Sequence, residues 1–229
     1  MPYEVFAIKL DSSIDDVIFK TLIRLVSEEK QKKIMRFHRV EDAKRTLLAD
    51  LLARYAISYK TGMKCEEINF KNNKYGKPLL VNIPNVYFNT SHSAQWIVCA
   101  ISSQPIGIDI EFIEQINCEI AKQFFSEDEY VKLSRESEEN KLDYFYQLWT
   151  LKESYVKAIG KGLSIPLDSF SISIDSKEIK LKASNNSTNC YFKQFEIDDN
   201  YKMAVCSFDR YYEDEVNFLE VDTFFSMKR

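Results

Sequence analysis

Asp109 and Glu111 stand two apart in Ile106-Gly107-Ile108-Asp109-Ile110-Glu111, a segment of strict alternation. Successive side chains on a strand point to opposite faces, so three isoleucines share one face and Gly107, Asp109 and Glu111 the other. Two carboxylates side by side repel, and at least one pKa rises unless a cation lies between them. A hard divalent ion meets that need. Mg²⁺ takes oxygen ligands and keeps waters or substrate phosphates in its shell, so two or three protein carboxylates suffice. An Asp-x-Glu pair alone is more often an exposed strand face. Here Gly107 leaves the shared face unobstructed and isoleucine fills the opposite one, which predicts a central strand rather than an edge.

A third carboxylate, Glu153, lies in Trp149-Thr150-Leu151-Lys152-Glu153-Ser154-Tyr155-Val156-Lys157, on a helix expected over 141–159. Glu153 and Lys157 are four apart, with Trp149 a turn earlier and Gly160 a turn later, so all four share one stripe. A surface Glu–Lys pair explains two of them; Trp149 requires the stripe to be partly buried. A partly buried acid and base suit a metal-bound phosphate, with Glu153 on the ion and Lys157 on a non-bridging oxygen. Gly160-Lys161-Gly162 ends the helix and permits close approach of a ligand. His92 falls in Asn89-Thr90-Ser91-His92-Ser93, read as a polar turn between strands at 86–88 and 96–101. A histidine among hydroxyls and amides can donate to phosphate oxygens, with Ser91 assisting.

The elements that must position these residues read as follows. A first strand covers 3–10, a charged helix 27–36 opens on a Ser27 cap, and a helix over 42–60 carries Leu47, Leu48, Leu51, Leu52, Tyr55, Ala56 and Tyr59 at helical spacing. Thr61-Gly62 ends it. After the strand at 106–111 come helices near 117–125 and 141–159 and strands near 169–174, 190–196 and 202–207. Residues 184–189 read as an exposed polar loop. Each half runs strand, helix, helix, strands. The expected fold is therefore α+β, with two similar subdomains, 1–104 and 105–229, related by pseudo-twofold symmetry and sharing an interface.

Bulk composition excludes several classes. The 229 residues are 45% hydrophobic with 5 Gly and 5 Pro, the profile of a compact globular chain. A net charge of -4 supplies no global field for a nucleic acid. No run of about 18 apolar residues and no signal-like N-terminus appear, so no membrane partner and a cytoplasmic location are expected. Five dispersed cysteines without a CxxC pair, and two histidines, speak against a disulfide framework or a structural zinc.

Gly107-Ile108-Asp109, followed some forty residues later by the Trp149–Lys157 segment, resembles the paired signature of the 4′-phosphopantetheinyl transferase superfamily. The likeness extends over nearly the whole chain and is nearest to the surfactin-synthetase-activating (Sfp-type) branch. It runs through Arg36-Phe37, Glu41-Asp42-Ala43, Arg45-Thr46-Leu47-Leu48, Tyr75-Gly76-Lys77-Pro78, Phe88 to Ser93 and Gln104 to Glu111. Thr150 and the tail 224–229 depart from the pattern without touching a proposed ligand.

The resemblance implies a monomer that binds coenzyme A and Mg²⁺ in the cleft between its subdomains. Asp109, Glu111 and Glu153 would hold Mg²⁺ with the coenzyme A pyrophosphate, which Lys157 and His92 would contact. Glu153, Lys157 and His92 form the implied catalytic set. Lys30, Lys33, Arg45 and Thr46 fall where the family grips the 3′-phosphate and adenosine, Lys77 with Pro78 where it borders the adenine, and Ser91 beside His92. Glu129 aligns with a family glutamate near the metal, with no settled role.

The implied reaction moves 4′-phosphopantetheine onto a serine of an apo acyl or peptidyl carrier protein and leaves 3′,5′-ADP. The context is carrier activation in antibiotic and nonribosomal peptide synthesis. Glu153 or a metal-bound water would take the serine proton. Residues 112–130, with Ile113, Ile116, Ile120, Phe124 and Phe125, would help dock the carrier. Two rivals remain open at this stage: an Mg²⁺-dependent phosphodiesterase or nuclease acting without carrier, and a non-catalytic carrier-binding module.

Overall fold

Helix starts follow from side-chain caps. Asp15 accepts from the Ile18 amide and Ser27 from the Lys30 amide, while Ser126 and Glu129 form a reciprocal capping box. The two longest helices, each of 22 residues, end on left-handed glycines, Gly62 and Gly160. The computed structural model describes residues 3–175, 178–183, 189–210 and 212–228.

The first half contains β1 (Tyr3–Lys9), α1 (Asp16–Leu22), α2 (Glu28–Ile34), α3 (Val40–Thr61), β2 (Phe70–Asn72), β3 (Pro78–Leu80), β4 (Tyr87–Ser93) and β5 (Trp96–Ser102). The second contains β6 (Ile106–Phe112), α4 (Ala121–Phe124), α5 (Glu127–Arg135), α6 (Glu138–Ile159), β7 (Phe170–Ile174), β8 (Ile179–Ala183), β9 (Tyr191–Phe195) and β10 (Tyr201–Ser207). The wiring repeats. In each half the first strand pairs with the last and the last with the one before it, β1-β5-β4 and β6-β10-β9, antiparallel throughout. Each half also carries a small hairpin after its long helix, β2–β3 and β7–β8. The molecule is thus the α+β pair of pseudo-twofold lobes that the element rhythm predicts.

Three cores result. Leu47, Leu48, Leu51 and Leu52 of α3 pack on Phe6, Ile8, Ile97 and Cys99 of the first sheet. Leu148, Leu151 and Tyr155 of α6 pack with Phe170, Ile172, Ala204 and Cys206 in the second lobe. The opposite sheet faces meet in a third core, where Ile106, Ile108 and Ile110 face Val5, Ala7, Val98 and Ala100. The isoleucine face of β6 therefore joins the lobes, and its Gly-Asp-Glu face turns toward α6. All five cysteines are free, with Cys99 and Cys206 buried.

Several expectations need correction. By main-chain pairing β6 lies at the edge of its sheet, not in the centre. Its outer side faces β4, which holds it with side chains: the Ile108 amide donates to Asn89 Oδ1 at 2.9 Å and the Phe112 amide to Ser93 Oγ at 3.0 Å. For the same reason residues 89–93 are strand, not turn; their alternate polar side chains point across to β6. The bend falls at Ala94, with φ of 45°.

Helices α1 and α5 and strands β2, β3 and β8 had no predicted counterpart. Nor did β11 (Tyr212–Leu219), which runs parallel to β1 on its outer edge and precedes a 3₁₀ segment, Val221–Lys228, with Phe224 buried in the first core. Residues 212–228 thus return to the first lobe, where they cover a strand edge that would otherwise be open to other chains. Of the loop expected over 184–189, residues 184–188 lie outside the described residues.

A Cβ at Gly107 would sit 2.1 Å from the Ser154 carbonyl oxygen and 2.3 Å from the Ala158 amide nitrogen. Both are helix main chain, which cannot rotate away. Gly107→Ala is therefore expected to lower unfolding free energy by about 2–3 kcal/mol, at the upper end of the usual overpacking cost. Urea titration checks this; a wild-type midpoint would show that α6 does not rest on β6.

Candidate active site

Because α6 lies against β6 at Gly107, Glu153 and Lys157 come over the strand that carries Asp109 and Glu111. Strand β4 supplies Ser91 and His92 from the first lobe, and α2 and α3 supply Lys30 and Thr46. Together these eight residues line one cleft of about 430 Å³, with half-buried Trp149 at its side.

Asp109 is 2% exposed. Its Oδ1 accepts from Lys157 Nζ at 2.6 Å and from Ser91 Oγ at 3.0 Å, and Lys157 also donates to Ser91 Oγ at 2.8 Å. Among the described residues its Oδ2 is buried without a hydrogen-bond partner. A buried carboxylate oxygen left bare is costly, and a bound cation would satisfy it. Burial pushes the Asp109 carboxyl up, against the opposing pull of Lys157.

Glu111 is pushed up to about 7 by burial and then by the charge of Asp109, although Ser93 Oγ donates to its Oε2 at 2.9 Å. Glu153 is raised by burial and by Asp109. Desolvation in the cleft wall, with the charges of Arg45 and Lys157, holds the His92 imidazole below its usual range. Lys157 faces three acids, so the site is short of positive charge. Among the described residues no three acidic, histidine or cysteine side chains stand so that they could hold a metal ion by themselves. The donor set suits a hard ion that takes part of its shell from water or a ligand.

Lys33 is exposed and outside the cleft lining. Arg45 is also outside it, with its guanidinium on Asp42 at 2.6 Å and the Ala94 carbonyl at 2.9 Å. Lys30 lies 3.4 Å from Asp50. Lys77 turns away from the cleft to carbonyls at the start of β6 and the end of α6, and burial lowers its ammonium to about 8. Pro78 begins β3, opposite Asn72.

Glu129 is not a cleft residue. Its two oxygens grip buried Lys152 at 2.8 and 2.7 Å and accept from the Ile172 and Ser126 amides, a structural network of the second lobe. The apolar residues expected to dock a partner separate: Phe125 is core, Ile113 and Phe124 are half-buried, and Ile116 and Ile120 are exposed. The latter two line a groove of about 560 Å³ that shares Glu111 and Trp149 with the cleft.

Asn89 and Ser93 escaped the sequence reading. Every residue from 89 to 93 is polar, so the segment carries no period-two contrast that would mark it as a strand.

Residues 105–206 match the family described as the 4′-phosphopantetheinyl transferase superfamily, and residues 15–104 match 4′-phosphopantetheinyl transferase, N-terminal. The chain is 42% identical over 205 residues to 4′-phosphopantetheinyl transferase Sfp of Bacillus subtilis (strain 168), covering 89% of this chain and 92% of the relative. It is 40% identical to 4′-phosphopantetheinyl transferase gsp of Aneurinibacillus migulanus, over 89% of this chain and 85% of that one. A holo-(acyl-carrier-protein) synthase from Bacillus anthracis str. Ames, solved in complex with CoA (3′,5′-ADP), superposes with a TM-score of 0.40 at 18% identity, over 45% of this chain and 93% of that one. The two family matches together run from residue 15 to residue 206, and the chain belongs to the 4′-phosphopantetheinyl transferase superfamily, alongside the Sfp-type enzymes.

Proposed function

We propose that the cleft binds coenzyme A and that the protein transfers 4′-phosphopantetheine to a serine of an apo acyl or peptidyl carrier protein. The observation that carries the reading is the bare, buried Oδ2 of Asp109, set among Glu111, Glu153 and Lys157. These groups ask for a cation and, through it, for a polyphosphate.

Asp109, Glu111 and Glu153 would hold Mg²⁺. The ion, when bound, supplies charge stabilisation at phosphate oxygens. The serine Oγ attacks the β-phosphorus of coenzyme A; the bond from that phosphorus to the bridging oxygen breaks, and 3′,5′-ADP leaves with that oxygen. Glu153 can take the serine proton, because burial raises its basicity above that of an ordinary carboxylate. Lys157, already directed at the carboxylates, neutralises a pyrophosphate oxygen, and His92 and Ser91 offer donors from the facing strand. Lys30 and Thr46 serve the 3′-phosphate and adenosine end, with Lys33 and Arg45 at its outer rim and Pro78 bordering the adenine.

The carrier approaches along the groove with Ile116 and Ile120, which opens beside Glu111 and Trp149. The two lobes, 1–104 and 105–229 with the tail crossing back, supply both walls from one chain, which suits a monomer. Among the described residues no helix is long and apolar enough to cross a membrane. A cytoplasmic site of action and a role in peptide-antibiotic synthesis complete the reading.

The direct test incubates the protein with Mg²⁺, coenzyme A and an apo carrier and looks by mass spectrometry for phosphopantetheine on serine. Absence of the adduct with several carriers would overturn the transfer; coenzyme A cleavage without carrier would make the protein a phosphodiesterase. Asp109→Ala is expected to cut turnover by roughly 10²–10³-fold while leaving the circular dichroism spectrum unchanged. Retained turnover would misplace the metal site.

Protons compete with the ion for Glu111. With its carboxyl pushed up to about 7, Mg²⁺ affinity is full above that pH and falls below it. Calorimetric titration should show a loss of roughly tenfold from about pH 7.5 to about pH 6. A pH-independent affinity would remove Glu111 from the ligand set.

A further inference from the structure

Lys77 lies in the turn between β2 and β3, far in sequence from the helix it touches. Its Nζ donates to the Lys157 carbonyl at 2.5 Å, the Ile106 carbonyl at 3.0 Å and the Ala158 carbonyl at 3.4 Å. An ammonium has three protons and no acceptor, so these contacts use its whole capacity. The last carbonyls of a helix lack intrahelical partners and carry partial negative charge, which a cation offsets.

The turn is built for this grip. Asn73 Oδ1 accepts from the Tyr75 and Lys77 amides at 2.9 and 3.0 Å, while Asn73 Nδ2 donates to the Gly160 carbonyl at 2.8 Å. Gly160 leaves room for the lysine stem, since a Cβ there would meet Lys77 Cδ at 2.9 Å. Lys157 is consequently held by the first lobe at both ends: its carbonyl by Lys77 and its ammonium by Ser91.

We propose that Lys77 is a positioning residue: from the first lobe it fixes the end of α6, and so sets where Lys157 and Glu153 stand over the carboxylates of β6. Its ammonium is not a ligand contact. This rests on the transfer reaction proposed above for its kinetic readout, while the clamp itself has a readout that needs no substrate.

The experiment compares Lys77→Met with wild type in kcat, KM and directly titrated Kd for coenzyme A, and in hydrogen exchange over residues 156–162. The clamp predicts kcat lower by roughly 10–100-fold, the scale of a misplaced reacting group. It also predicts Kd for coenzyme A within about threefold of wild type and faster exchange at the end of α6. A Kd weakened tenfold or more with kcat intact would make Lys77 a ligand contact and overturn the proposal. Unchanged kcat, with or without a lower Tm, would reduce Lys77 to a folding role and overturn it equally. Should Lys77→Met fail to fold, Asn73→Ala, which loses the grip on Gly160 and the two bonds that shape the turn but keeps the Lys77 ammonium, is expected to show the same split in milder form. If wild type itself yields no adduct, the transfer reading fails separately, and the exchange comparison still decides the clamp.

Discussion

At Gly107 the main chain of α6 rests on the main chain of β6, with the Ser154 carbonyl and the Ala158 amide where a side chain would begin. Glu153 and Lys157 each precede one of those contact residues, about 100° back around the helix. The contact that seats 154 and 158 on the strand thus leaves 153 and 157 on the flank, directed along β6 toward residues 109 and 111. Small neighbours make the approach possible: Ala204 and Cys206 lie beside Asp109 and Gly107 on β10. A bulkier residue at any of these positions would lift the helix and carry Lys157 away from Asp109.

The seat also accounts for the electrostatics. Close contact excludes water from Asp109, and its carboxyl rises because the charged form is poorly solvated there. A purely structural ion pair would be expected to satisfy both oxygens, as in the Glu129–Lys152 pair, where Glu129 accepts four hydrogen bonds from the Lys152 ammonium and the Ile172 and Ser126 amides. Among the described residues Asp109 has hydrogen-bond partners on one oxygen and none on the other. Two buried acids in one lobe are treated oppositely, and the difference separates a site that holds the fold from one that awaits a ligand.

Much of this was legible in residue order. Period two in 106–111 revealed which face Asp109 and Glu111 share, and the 3.6 period placed Trp149, Glu153 and Lys157 on one stripe. The recurrence of strand, helix, helix, strands foretold two lobes. What escaped depends on partners remote in sequence. Residues 89–93 look like a turn because their composition is polar, yet their partners are amides and carboxylates on β6, some 19 residues away in sequence. Resemblance puts Lys77 beside the adenine, and its grip on main-chain carbonyls leaves no local signal because they lie up to 81 residues on. The return of β11 to β1 has no local signature, since its pairing serves an edge more than 200 residues earlier.

The repeated wiring shows what was changed to make a site. In the first lobe the helix-facing side of β1 offers Phe6 and Ile8 to α3, and the contact is a dry core. In the second lobe the corresponding strand offers Gly107, Asp109 and Glu111, and among the described residues β6 contributes no apolar side chain to the core beneath α6. That lobe forgoes burial at about 25 cal/mol per Å² of apolar surface. Its own core is carried instead by aromatic residues from α6, β7 and the segments around α4, such as Phe145, Tyr155, Phe170 and Phe125. The first lobe compensates on the open side: Asn89, Ser91 and Ser93 close the edge that a plain sheet strand would have closed with its backbone. A cleft between similarly wired lobes is then more than a gap. One lobe gives up packing to place carboxylates in the cleft, and the other supplies the side chains that keep their strand in place.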